Sequence, residues 1–297
     1  MSMRIVNYGS RSVKDLTWMS EKIFHLRGNK VHVTSIGDDS LPTIVFIHGF
    51  TGSTKSWDET IGLLKGKYRT IAVDLTGHGK SSVPEEATRY SMEEQVADLE
   101  ALFAKLELSF FILVGYSMGG RIGLAYTIKH PERISTLILE SASPGLKAKS
   151  ERVARKEADK RLSEKIIEEG IPAFVELWEN VPIFRSQKEL PNEKQKAIRT
   201  ERLSQNATGL ANSLLGIGSG SQPSFWDDLP TIKVPILLVT GEIDIKFVNI
   251  AREMMKYLPS VSHQTIKSAG HAIHVEKPTL FATIVDEHIM KVIKLRG

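Results

Sequence analysis

The sequence contains no cysteine. That excludes disulfides, thiolate-ligated metals and a cysteine nucleophile together, and it suits a reducing compartment. It also lacks any apolar run near the ~20 residues that a membrane-crossing helix needs. The amino end shows neither a sustained apolar segment nor a small-residue cleavage site. A cytoplasmic protein with no membrane partner is therefore expected. Blocks of like charge are missing too: 39 Lys and Arg interleave with 35 Asp and Glu, for a net charge of +4. Without a basic stripe, no nucleic-acid partner is expected. Aromatic residues make up 7%, so aliphatic side chains carry most of the 41% hydrophobic content. With 25% charged residues the composition is that of a folded domain, and 297 residues can bury a large core. No internal repeat is visible.

The most informative stretch that is present runs from Phe110 to Arg121. Phe110-Phe111-Ile112-Leu113-Val114 reads as a buried strand, and Ile122 to Lys129 has helical spacing. Between them lies Gly115-Tyr116-Ser117-Met118-Gly119, followed by Gly120. Gly-x-Ser-x-Gly between a strand and a helix is a nucleophile elbow. The turn is tight enough to strain the serine backbone, and it leaves little room for side chains two positions away. It lifts the serine Oγ out of the sheet beside the free N–H groups of a helix start.

Strand and helix alternate around this stretch. Residues 1–19 show no period and read as a leader. Phe24 to Gly37 predicts a hairpin turning at Gly28-Asn29. Strands are predicted at Thr43 to Ile47, Arg69 to Val73, Ile134 to Leu139, Pro235 to Thr240 and His263 to Lys267. Helices are predicted from about Lys55 to Lys65, from Ser91 (an N-cap, with Glu94 three residues on) to Leu106, after Asp244 to about Leu258, and from Pro278. Two-sided apolar strands separated by helices predict an α/β fold, with a mostly parallel sheet flanked by helices. Residues 145–230 break the rhythm with charged helical segments and the loose Gly216-Ile217-Gly218-Ser219-Gly220. They read as an α-helical cap inserted into a core of residues 20–144 and 231–297.

A serine hydroxyl becomes reactive when an imidazole takes its proton, and the imidazole needs an acid to fix its tautomer. In this architecture the order is Ser, acid, His, each at a strand's carboxyl end. Asp244 and His271 fit that order, with Glu242 and Glu140 as rival acids and His274 as a structural or cap-contacting histidine. An oxyanion hole would use the N–H of Met118 and that of Phe50 in His48-Gly49-Phe50. Gly49 to Ser56 nearly spells a phosphate-binding loop. Thr54, however, occupies a position that needs glycine, and a nucleotide reading leaves Ser117, Asp244 and His271 without a use.

The ordered motifs from Thr43 to Met290 resemble the α/β-hydrolase superfamily. A narrower resemblance, to the 2-succinyl-6-hydroxy-2,4-cyclohexadiene-1-carboxylate synthases of menaquinone biosynthesis, lies outside the triad. It is carried by Gly115 to Arg121, Ser143-Pro144-Gly145-Leu146, Glu151-Arg152-x-x-Arg155-x-x-x-Asp159, Trp178 with Pro182-Ile183-Phe184, Arg202 to Asn206, Gln222-Pro223-Ser224-x-Trp226 and Gly241-Glu242-x-Asp244-x-Lys246-Phe247. The resemblance implies a lyase that eliminates pyruvate from a cyclohexene tricarboxylate, with no metal or organic cofactor. It implies Ser117, Asp244 and His271 as the triad, Arg121, Arg155 and Arg202 on substrate carboxylates, and Tyr116 and Trp178 lining the pocket. The residues give partial independent support. Arg121 sits in the first helical turn, where it opposes the dipole, and a planar fork there suits a carboxylate. A surface ion pair for Arg121, a solvated helix face for Arg155 and cap core for Trp178 remain the bland alternatives. A serine carboxylesterase remains the alternative activity. The expected partner is a small anionic substrate, and nothing in the sequence sets the oligomeric state.

Overall fold

The computed structural model describes residues 19–295. The expected leader lies outside the described residues except at Met19, which opens the first strand. In chain order the elements are β1 (Met19–Leu26), β2 (Asn29–Ile36), β3 (Thr43–Ile47), α1 (Asp58–Leu64), β4 (Arg69–Val73), α2 (Met92–Lys105), β5 (Phe111–Tyr116), α3 (Met118–Lys129), β6 (Ile134–Glu140) and α4 (Lys149–Trp178). They continue with α5 (Asn192–Leu203), α6 (Ala207–Ile217), β7 (Ile236–Gly241), α7 (Ile245–Met254), β8 (Val261–Ile266), α8 (Ile273–Glu276) and α9 (Pro278–Lys294). The strands form one sheet in the order β1-β2-β4-β3-β5-β6-β7-β8. β1, β2 and β4 pair antiparallel, and every other pairing is parallel.

Alternation along the central strands explains why both faces are covered. In β3, Val45 and Ile47 join one core with Leu99, Phe103, Ile122 and Tyr126 of α2 and α3. Ile44 and Phe46 point to the opposite core, with Ile61 and Leu64 of α1 and Phe281 and Val285 of α9. Each such side chain, once buried, contributes about 1.5–3 kcal/mol, and the period of two forces a helix layer on each side. Ser91 caps α2 as expected, accepting from the N–H of Glu94 at 3.3 Å.

Three details differ from the sequence reading. The hairpin turns at Arg27 and Gly28, both with positive φ (49° and 81°), and Asn29 already belongs to β2. A two-residue turn of this kind needs positive φ at both central positions, which sets the register one residue earlier. β1 begins at Met19, not near Phe24. Gly216 and Ile217 are helical rather than loose, because a side chain at 216 would strike Ala87 O at 2.5 Å and α6 packs tightly there. The long α4 is two helices meeting at Gly170 (φ 80°, ψ 173°), with Pro172 two residues on. Among the described residues no helix is long and apolar enough to cross a membrane.

A charge cluster around the buried His32 and Asp74, with the exposed Glu21 at its edge, ties β1 and β2 to the end of β4. His32 Nδ1 meets Asp74 Oδ2 at 2.7 Å and its Nε2 meets Glu21 Oε1 at 2.8 Å. Burial opposes the imidazolium, but the two carboxylates outweigh it and raise the His32 pKa. A raised folded-state pKa gives stability that is complete below the unfolded value, near 6.5, and is lost as pH rises through the folded value. Thermal melts of wild type and His32→Gln from pH 5 to 9 should therefore differ most at the acid end and converge at the alkaline end. A constant difference would refute the linkage.

Candidate active site

The elbow is built by steric exclusion. Ser117 has φ 49° and ψ −107°, and its N–H is held by Glu140 O at 2.8 Å. A β-carbon at Gly115 would lie 2.6 Å from Gly119 O, and one at Gly119 would lie 2.3 Å from Ile47 O. Neither backbone atom can step aside, so both positions require glycine. Gly119→Ala should lose about 1–3 kcal/mol, read as a lower denaturant midpoint. A wild-type midpoint would show that the crossing is looser than drawn.

β7 and β8 deliver the other two groups. Asp244 is the N-cap of α7 and His271 lies in the loop before α8. His271 Nδ1 is 2.6 Å from Asp244 Oδ2, and its Nε2 is 3.0 Å from Ser117 Oγ. A carboxylate can only accept, so the ring proton sits on Nδ1 and Nε2 is free to accept from the serine hydroxyl. The histidine is 2% exposed. Phe247 packs against its ring with centroids 4.7 Å apart, and Tyr116 does so at 5.3 Å. Burial raises the Tyr116 phenol well above its ordinary value, so it is a neutral wall. The rival acids are used elsewhere. Glu140 accepts from His274 Nδ1 at 2.8 Å and from its N–H at 3.0 Å, while Glu242 accepts from Ser268 N–H at 3.0 Å. His274 is thereby fixed to the core and stacked on Trp57, centroids 4.2 Å apart.

These groups open into a cavity of about 550 Å³, between the carboxyl edge of the sheet and the helical insertion. Ser117, His271 and Asp244 line it, as do Phe50, Met118, Tyr116, Arg121, Arg155 and Trp178. Met118 starts α3, so its N–H has no intrahelical acceptor. A single site thus combines an activated hydroxyl, an imidazole and a helix start, which can move a proton and stabilise an oxyanion.

The residues 42–278 match the protein family described as alpha/beta hydrolase fold. The chain belongs to the α/β-hydrolase family. Within it the chain groups with the 2-succinyl-6-hydroxy-2,4-cyclohexadiene-1-carboxylate synthases. It is 43% identical over 265 residues to a protein of Bacillus subtilis (strain 168) named as a putative enzyme of that activity, covering 89% of this chain and 96% of the relative. A synthase of that name from Enterobacter sp. (strain 638) is 31% identical, covering 84% of this chain and 92% of the relative. Among solved structures, MenH from S. aureus superposes with a TM-score of 0.84 at 35% identity, over 88% of this chain and 98% of that one.

Other α/β-hydrolases share the elbow, so the cavity's charged walls distinguish this one. Arg121 is buried, and its Nη1 donates to Ile217 O at 2.8 Å and to Gln222 Oε1. Among the described residues it forms no ion pair, contrary to the surface-pair alternative. Burial, with the nearby Arg155 cation and against the opposing pull of the Asp159 carboxylate, pushes its pKa down to about 10. Arg155 is ion-paired by its Nε to Asp159 Oδ1 at 2.7 Å and stays 41% exposed. Trp178 does double duty: it lines the cavity and packs edge-on against Phe50, centroids 5.4 Å apart. Arg202 falls elsewhere. It is buried beneath the Phe184 ring, 4.7 Å from its centroid, donates to Gln187 Oε1 at 2.8 Å, and faces a second cavity of about 430 Å³. Phe184 lines both cavities, whereas Arg202 lines only the second. Among the lining residues that the sequence alone gives no role are Ser141 and Lys246. Lys246 was visible only as part of the Asp244 motif, and Ser141 only as a residue following a strand.

Proposed function

We propose that the protein is a 2-succinyl-6-hydroxy-2,4-cyclohexadiene-1-carboxylate synthase, a lyase that eliminates pyruvate from a cyclohexene tricarboxylate in menaquinone biosynthesis. The observation that carries this reading is Arg121: a buried cation whose hydrogen-bond partners are all neutral, in the same cavity as the Ser117–His271–Asp244 array. The only carboxylate lining that cavity among the described residues is Asp244, already engaged by His271, whereas Arg121, Arg155 and Lys246 bring cations. Such walls favour a polyanion over a neutral ester.

In the proposed reaction His271 draws the Ser117 proton, and Ser117 Oγ removes a proton from a ring carbon of the substrate. The electron pair moves onto the conjugated succinyl carbonyl, whose oxygen lies between the N–H groups of Phe50 and Met118. An oxyanion hole suits an enolate as well as a tetrahedral adduct, since both put charge on one oxygen. The enolate then reforms the ring double bond, the carbon–oxygen bond to the enol-ether side chain breaks, and that side chain leaves as pyruvate after protonation. Tyr116 and Trp178 are read as apolar walls and Arg121 and Arg155 as carboxylate ligands. Residues 145–230 act as the cap, and residues 20–144 and 231–297 as the core. Arg202 acts from behind Phe184 and is given no direct contact in this reading.

The substrate can be generated enzymatically and mixed with the protein. Appearance of the conjugated diene with one equivalent of pyruvate is expected. Efficient turnover of p-nitrophenyl esters with burst-phase release, and no pyruvate, would instead establish the esterase.

A further inference from the structure

The proposed triad makes no use of a buried carboxylate beside it. Glu276, at the end of α8, is 9% exposed. Its Oε2 accepts the N–H of Gly270, the residue before His271, at 2.7 Å. Its Oε1 accepts the Ser186 hydroxyl at 3.0 Å, and Ser186 belongs to the 3-10 segment Pro182–Glu189 of the helical insertion. The packing leaves no slack: a β-carbon at Gly270 would lie 2.0 Å from Ser186 Oγ. Both Gly270 and Ser186 line the catalytic cavity.

We infer that Glu276 is a positioning residue, whose carboxylate ties the Gly270 N–H, just before His271, to Ser186 of the insertion and so holds the imidazole against Ser117. The physical case is one of counting. A lone loop residue has two soft backbone dihedrals, and the His271 ring must hold two contacts at once, to Asp244 and to Ser117. Pinning the backbone just before it restrains the motions that would spoil either contact. The charged acceptor makes these bonds stronger than neutral ones. Through Ser186, the same carboxylate makes the seating of the insertion and the aim of the imidazole one event. Aromatic packing supports the link, since Phe184, two residues before Ser186, meets the His271 ring with centroids 6.1 Å apart.

This inference rests on the triad reading, so the experiment includes Ser117→Ala as a reference. Glu276→Gln keeps the shape but offers one acceptor oxygen and an NH2 group, which must face a donor. Pyruvate release should then show kcat lowered about 10- to 100-fold with KM within twofold. The far-downfield proton resonance of His271 Nδ1–H, observed without substrate, should shift or broaden. A folded Glu276→Gln protein with wild-type kcat and an unmoved resonance would overturn the inference. Should that variant not fold, Ser186→Ala decides, since it deletes only the bond to the insertion. A several-fold fall in kcat at constant KM supports the coupling, and wild-type kcat with an unmoved resonance refutes it. If Ser117→Ala itself retains activity, the triad reading has failed instead.

Discussion

Ser117→Ala is expected to lower the rate of pyruvate release by at least about 10³-fold while leaving the melting temperature within a few degrees of wild type. The two halves of that expectation have different origins. In the proposed reaction Ser117 Oγ is the base that His271 activates; its hydroxyl donates to Nε2 at 3.0 Å, and no other hydroxyl meets that nitrogen among the described residues. Removing it leaves an imidazole without a relay. The fold is insensitive because the elbow is held by its neighbours: the N–H of residue 117 bonds to Glu140 O whatever the side chain. Rates from purified variant and wild type, with melting curves on the same samples, test both halves. An unchanged rate would reject the assignment of the base.

Arg121→Ala carries the second largest effect. A charged hydrogen bond to a substrate carboxylate is worth about 1.5–3 kcal/mol, so kcat/KM should fall about 10- to 150-fold. Most of the loss should appear in KM, because the carboxylate is as charged in the ground state as in the transition state. Its hydrogen-bond partners, Ile217 O and Gln222 Oε1, are neutral, and the nearby Asp159 carboxylate only partly offsets the cation's burial, which leaves a charge for an anion to meet. Arg121→Lys should recover only part of the affinity, since an ammonium lacks the planar fork. Steady-state kinetics for the three proteins suffice. Equal KM values would remove Arg121 from the substrate site.

Which parts of this molecule could be read in advance follows from the range of the interactions involved. The central strands and the elbow are local: apolar alternation, glycines forced by backbone contact, and an N-capping serine are each written within a few residues. The Ser, Asp, His order is legible because each residue sits at the end of its own strand, and the parallel sheet lines those ends up. The fate of Arg202 is different. Its neighbours on the chain suggest a carboxylate ligand, yet Phe184 and Gln187, fifteen or more residues earlier, set its direction. Arg121 was recognised as anomalous from its place in the first helical turn, but its two acceptors lie some hundred residues onward in the insertion. Glu276 left even less trace. A glutamate before a lysine and a proline looks like a helix-end charge, and only the folded loop reveals that it holds the Gly270 N–H beside His271. The hairpin shows the opposite limit. Arg27 in a left-handed conformation (φ 49°) is disfavoured locally, and strand pairing overrides the preference for Gly28-Asn29 as the turn.

Proton abstraction by Ser117, rather than attack by it, is the claim on which the chemistry turns. Substrate deuterated at the reacting ring carbon, turned over in a stopped-flow instrument and quenched for intact-mass analysis, addresses it in a single experiment. A primary isotope effect on pyruvate release, with the protein's mass unchanged at every time point, is the result this account predicts. A mass increase residing on Ser117, with no isotope effect, would contradict it.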